Sequence, residues 1–168
     1  MGEFDKAAAS FEKAKALKDH DNINNNLGAI ALHKDDVASA KEAFTASLGA
    51  GDKVSYNLGI VNVIEGEYAS ALNYFGSEAS YNAALAKYLN GDSDGAWRTI
   101  ANLETESPYR SYLMAVIAAS QDKPAEVYKN LKKAVDSCKD PQKMKDRAKN
   151  DLEFAKFFEE AEFKAIVE

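Results

Sequence analysis

The side chains able to do covalent chemistry are few. His20, His33 and Cys138 are the only imidazoles and the only thiol in 168 residues. A Cys–His pair needs a base beside the thiolate, and nothing in the spacing brings either histidine to Cys138, which falls near the end of a distant helix. His33 reads instead as a residue of a last helical turn, where a cation meets the negative end of the helix dipole. The acidic clusters Asp19-His20-Asp21-Asn22 and Asp92-Ser93-Asp94-Gly95 invite a calcium reading. An EF-hand loop needs Glu at its twelfth position, and Ile30 and Leu103 stand there. Asp and Asn at these points read as helix caps and turn formers. The glycines form no Gly-x4-Gly-Lys-Ser/Thr phosphate loop. No catalytic residue, metal site or cofactor is expected, and the chain reads as a non-enzyme.

The elements that would position any site are helices. Hydrophobic residues make up 46% and charged residues 29%, with 3 prolines and 9 glycines, which disfavours both disorder and an all-β fold. The formal net charge is −6, so a basic face for nucleic acid is not expected. Lys143, Lys145, Arg147 and Lys149 are interleaved with Asp146 and Asp151 and read as a solvated helix face. A single cysteine excludes an internal disulfide. The longest apolar run, Tyr112 to Ala119, is too short to span a bilayer, so no direct membrane insertion is expected. The compartment stays open between the cytoplasm and the periplasm or cell envelope.

One pattern recurs five times: a small residue, three others, then a large apolar one. It runs from Ala7 to Phe11, Ala40 to Phe44, Ala71 to Phe75, Ala96 to Ile100 and, more weakly, Val127 to Leu131. Five residues before each stands a turn former: Gly2, Asp35, Gly66, Gly91 and Asp122, at spacings of 33, 31, 25 and 31. Seven residues before the later turns lie Gly28, Gly59, Ala84 and Ala115. A period near thirty with helical composition means stacked helical hairpins. The small residues let the first helix of each pair approach the second, and the large one fills the space one turn along the same face. Because Gly76-Ser77 follows Phe75 directly, the second helix of the 25-residue unit is expected to end early and to change the local superhelical twist.

This pattern resembles the tetratricopeptide repeat. Asn24-x2-Leu27-Gly28 and Ser55-x2-Leu58-Gly59 match its first-helix motif without the Trp and Tyr, and the Ala-x3-Phe second-helix motif is nearly complete. The repeats are shorter than the usual 34 residues and lack the closing proline. The resemblance covers roughly residues 2–138. It implies an all-α, right-handed α-α superhelix of hairpins over residues 1–140, with turns near 2, 35, 66, 91 and 122. Residues 141–168 would form a C-terminal helical cap, with Leu152, Phe154, Phe157, Phe158, Phe163 and Ile166 as core candidates. That terminal run looks like the closing segment of many bacterial repeat proteins. Residues 3–18 read as a second helix without its first. The chain is therefore expected to be a fragment of a larger protein, with any signal peptide upstream, or to self-associate through this helix.

In the repeat family the first helices line a concave groove that holds a protein or peptide segment. Tyr56, Tyr81 and Tyr112 occupy one equivalent position on three first helices, and Asn25 occupies it on a fourth. One turn along lie Ala29, Ile60, Leu85 and Val116. Such tyrosines offer apolar area with a hydroxyl, which suits protein contacts. They either line the groove or pack on the neighbouring repeat, and the sequence does not choose. Asn26, Asn57 and Asn82 form a second ladder, read as structural. Some family members clamp a C-terminal carboxylate with Lys, Asn and Arg; Lys53 and Asn57 stand here without the Arg. The function expected is a non-catalytic interaction scaffold with a protein or peptide partner, the alternative being a structural spacer or dimerisation segment.

Overall fold

The structure, a computed structural model, describes residues 2–168 and is all-α. It divides into two compact units, one ending at Ser77 and one spanning Glu78–Glu168. The first unit holds α1 (Glu3–Leu17), α2 (Asp21–His33), α3 (Val37–Thr45), a 3-10 turn (Leu48–Ala50), α4 (Asp52–Ile64) and α5 (Tyr68–Phe75). The second holds α6 (Tyr81–Leu89), α7 (Ser93–Ala101), α8 (Pro108–Ser120), α9 (Pro124–Ser137), α10 (Pro141–Asn150), a 3-10 segment (Leu152–Phe157) and α11 (Ala161–Val167). Helices consecutive in sequence pack as antiparallel pairs, α2 with α3, α4 with α5, α6 with α7 and α8 with α9. This sequential pairing is consistent with a helical repeat array.

The turns inside the pairs share one backbone solution. Asp35, Gly66, Gly91 and Asp122 take φ of 61°, 82°, 87° and 53°. Around Asp35, the Asp36 amide donates to the Ala31 carbonyl at 2.9 Å and the Asp35 amide to Leu32 at 3.1 Å. The same two bonds recur from Glu67 to Asn62 and Gly66 to Val63, from Asp92 to Lys87 and Gly91 to Tyr88, and from Lys123 to Ala118 and Asp122 to Ala119. This is the Schellman arrangement, which satisfies carbonyls that a helix end leaves unpaired. Gly2 differs: at φ −68° it is the N-cap of α1. Helices α3, α6, α7, α8 and α10 start on side-chain caps, with Asp36 accepting from the Ser39 amide, Ser80 from Ala83, Asp92 from Gly95, Ser107 from Arg110 and Asp140 from Lys143. All three prolines, Pro108, Pro124 and Pro141, open helices, where a missing N–H costs nothing.

The pairs close by matching small to large. A Cβ on Gly28 would stand 2.6 Å from Cε1 of Phe44, and one on Gly59 would overlap Cε1 of Phe75. Both rings are buried. In the second unit alanine replaces glycine and an aliphatic residue replaces the ring. Ala84 packs in one cluster with Ala96 and Ile100, and Ala115 in another with Val127 and Leu131. The extra methyl on one helix is compensated by a smaller residue on the other, which keeps the core close-packed.

Two sequence expectations are revised. The 25-residue interval does not come mainly from an early end to its second helix: α5 has 8 residues against 9 in α3. The shortened helix is α6, with 9 residues against 13 in α4 and in α8. The second concerns the core candidates of the cap, where the 3-10 segment separates α10 from α11. Phe154, Phe157 and Phe163 are buried against α8 and α9, whereas Leu152 is 83% exposed and Val167 is more deeply buried than Ile166.

Candidate functional site

The expected groove positions separate by unit. In the first, Asn25 and Tyr56 are half-buried, as is Ile60, and Ala29 is exposed. The Asn57 side-chain amide donates to the Asn25 carbonyl oxygen at 2.9 Å, which links α4 to α2. Asn57 is therefore engaged within the fold, as its structural reading required. The Tyr56 ring lies 5.3 Å from that of Phe75, tilted by 54°. Tyr56 thus packs its inner edge on its own pair and keeps surface outward.

In the second unit, Tyr81 and Leu85 are half-buried and pack on the cluster of Ala84, Ile100 and Leu113. Burial pushes the Tyr81 phenol above its usual value, against the opposing pull of the Arg147 charge. Tyr81 also borders an open cleft of about 740 Å³ lined by Ser80, Leu103, Tyr109 and Arg110. Tyr109, 54% exposed, was not singled out from sequence; its place one residue after the helix-opening Pro108 is the only signal. Arg110 is committed to the fold: its Nε and a terminal nitrogen donate to the carbonyls of Ile100 and Ala101, each at 2.9 Å, closing the end of α7.

Tyr112 and Val116, at the same register on α8, are 2% and 7% exposed. The chain itself covers them. The Tyr112 hydroxyl donates to Oδ2 of Asp151 at 2.8 Å, and its ring meets Phe154 edge-on at 5.6 Å. The Arg147 guanidinium lies 4.6 Å above the ring, so the basic side of α10 is not purely solvated. Burial and the Asp151 carboxylate together push the Tyr112 phenol well above its usual range. At this position the first-helix face thus receives a short polypeptide segment through an aromatic contact, a hydroxyl–carboxylate bond and a cation over the ring. Sequence reasoning missed this because the contact joins residues 39 apart.

The residues first weighed for catalysis have structural roles. His20 is the N-cap of α2, its Nδ1 accepting from the Asn22 amide at 3.2 Å. His33 ends α2 and stacks on Phe4, ring centres 3.8 Å apart. Cys138 ends α9 and packs against the C-terminal core. Among the described residues no group of three or more His, Cys, Asp and Glu side chains is placed to hold a metal ion. Among the described residues, no helix is long and apolar enough to cross a membrane. No family model matches the chain, and no curated protein matches it.

Proposed function

We propose that this chain is a tetratricopeptide-type scaffold, a right-handed superhelix of helical hairpins, that binds a protein or peptide segment along its first helices without catalysing a reaction. The observation that carries the reading is the Tyr112 position of α8, where a segment of the chain itself, Asp151 to Phe157, lies on the first-helix face. The same register on α2, α4 and α6 carries Asn25 and Ala29, Tyr56 and Ile60, and Tyr81 and Leu85, all retaining accessible surface. On α4 and α6 a partner would find part of what Phe154 finds at Tyr112: an aromatic ring with an aliphatic neighbour one turn on. Rigid aromatic anchors on helices suit this task, because little side-chain freedom is lost on binding.

The test is selection of peptides from a random library against the full chain, followed by affinity measurement on variants. Selected peptides are expected to bind the double variant Tyr56→Ala, Tyr81→Ala at least tenfold more weakly. They should bind Lys129→Ala, on the exposed side of α9, unchanged. Failure to select any peptide, or equal affinity for the double variant, contradicts the reading.

A further inference from the structure

The second unit builds one arrangement completely at Tyr112 and only in part at Tyr128. At Tyr112 a phenol, a carboxylate and a guanidinium stand together: Asp151 accepts from the hydroxyl at 2.8 Å, and Arg147 lies 4.6 Å above the ring. Tyr128 of α9 has the ring and the carboxylates without the guanidinium. It borders an open cleft of about 460 Å³, with Phe157 as a second aromatic wall and Glu160 and Glu162 beside them. The two rings meet edge to face, centres 6.0 Å apart at 86°, which holds the half-buried Tyr128 against the buried Phe157.

The charge of this cleft is not balanced from within. Lys156, the cation on its rim, pairs with Asp122 at 2.6 Å. Among the described residues, Glu160 and Glu162 have no ion-pair partner, and both are exposed. Glu160 is the N-cap residue of α11, yet its side chain makes no cap bond, unlike Asp36, Asp92 and Asp140 at theirs. Both carboxylates act on the Tyr128 phenol instead: burial, and then these two charges, push it above its usual value.

We propose that this cleft binds an arginine side chain of a partner protein, its guanidinium held between the Tyr128 ring and the Glu160 and Glu162 carboxylates. Charge complementarity requires a cation, since two unpaired carboxylates face the opening. The ring selects the kind of cation. A planar guanidinium stacks on an aromatic face while its edge donates to a carboxylate, and it gives up less hydration than an ammonium. Arg147 over Tyr112 is the same contact made within the chain. The cleft is separate from the Tyr56 and Tyr81 positions, and its occupation does not depend on theirs.

The test uses the full chain at low salt and a blocked glycine–arginine–glycine peptide, with a citrulline peptide of the same shape and no charge for comparison. Backbone amide resonances over residues 122–128 and 156–162 are expected to shift saturably with the arginine peptide. The citrulline peptide should bind at least tenfold more weakly, and a lysine peptide several-fold more weakly. The chain variant Glu160→Gln, Glu162→Gln should lose at least fivefold and Tyr128→Leu several-fold. Glu104→Gln, which neutralises an exposed carboxylate elsewhere, should leave the affinity unchanged. Equal affinity for the arginine and citrulline peptides, an unaffected double glutamine variant, or shifts confined to other residues overturns the proposal. So does calcium that shifts residues 160–162 where the arginine peptide does not, which would assign the carboxylates to a metal. A chain that dimerises in sedimentation and loses the dimer in the double glutamine variant would assign the cleft to a second copy and overturn it as well. Both glutamine changes lie at exposed positions, so that comparison stands even where Tyr128→Leu disturbs Phe157.

Discussion

Gly59 of α4 lies so close to the ring of Phe75 in α5 that a methyl group on its Cα would overlap Cε1 and stand 2.7 Å from Cδ1. The pair is one of four equivalent small-to-large contacts, and it sets how near the two helices come.

Gly59→Ala is expected to destabilise the chain by about 1 kcal/mol. Overpacking a filled core costs on the order of 1–3 kcal/mol, and the better helix propensity of alanine offsets about 1 kcal/mol of that. Phe75→Leu, which imitates the alanine–aliphatic pairs of the second unit, should cost at least about 1 kcal/mol less in the Gly59→Ala background than alone. Urea unfolding followed by far-UV circular dichroism measures both. A neutral or stabilising Gly59→Ala would mean that this contact does not set the helix spacing.

Asp35→Gly is expected to stabilise the chain by roughly 0.5–1 kcal/mol. Asp35 occupies a left-handed conformation that glycine adopts without a Cβ penalty. Asp122→Gly should yield less, because it also removes the exposed ion pair with Lys156. Gly66→Ala, at φ 82°, should lose about 1 kcal/mol. Thermal midpoints of the three variants decide the matter, and a destabilised Asp35→Gly would count against the turn geometry.

The turns and the small-to-large contacts were legible because each depends on residues within one hairpin. Asp35, Gly66, Gly91 and Asp122 mark turns by local backbone chemistry, and Ala-x3-Phe marks a buried stripe by helical spacing. What escaped the sequence depends on distant chain or on a cap that the residue type alone does not reveal. The shortening of α6 rests on where the Ser80 cap places its start, and Ser80 alone does not declare itself a cap. Tyr112 carried the same pattern as Tyr56 and Tyr81; only the return of Asp151 and Phe154 buries it. Leu152 looked like core by hydrophobicity, but the 3-10 segment turns it to solvent while Phe154 and Phe157 turn inward.

Phe154→Ala is expected to cost about 3–5 kcal/mol, since it removes a fully buried ring from the cap core. Leu152→Ala should stay within about 0.5 kcal/mol, its side chain being 83% exposed. Urea unfolding followed by fluorescence of Trp97, which packs against the same core, gives both values. Similar costs for the two would contradict the orientation of the 3-10 segment.

Stability should fall as pH rises above about 10. Burial raises the phenols of both Tyr112 and Tyr88, aided by the Asp151 and Glu153 carboxylates respectively. The native state therefore keeps protons that the unfolded chain releases near pH 10. This contribution is fully present below that pH and is lost as pH climbs toward the raised native values. Urea midpoints at pH 8 and pH 11 should differ less for Tyr112→Phe, Tyr88→Phe than for the native chain. An unchanged difference would remove these phenols from the account.

The most direct measurement on the central claim is amide exchange of the full chain with and without a library-selected peptide. Protection should concentrate on the first helices, over residues 25–29, 56–60 and 81–85. Protection confined to α3, α5 and α7, or spread evenly over the chain, would contradict binding along the first helices.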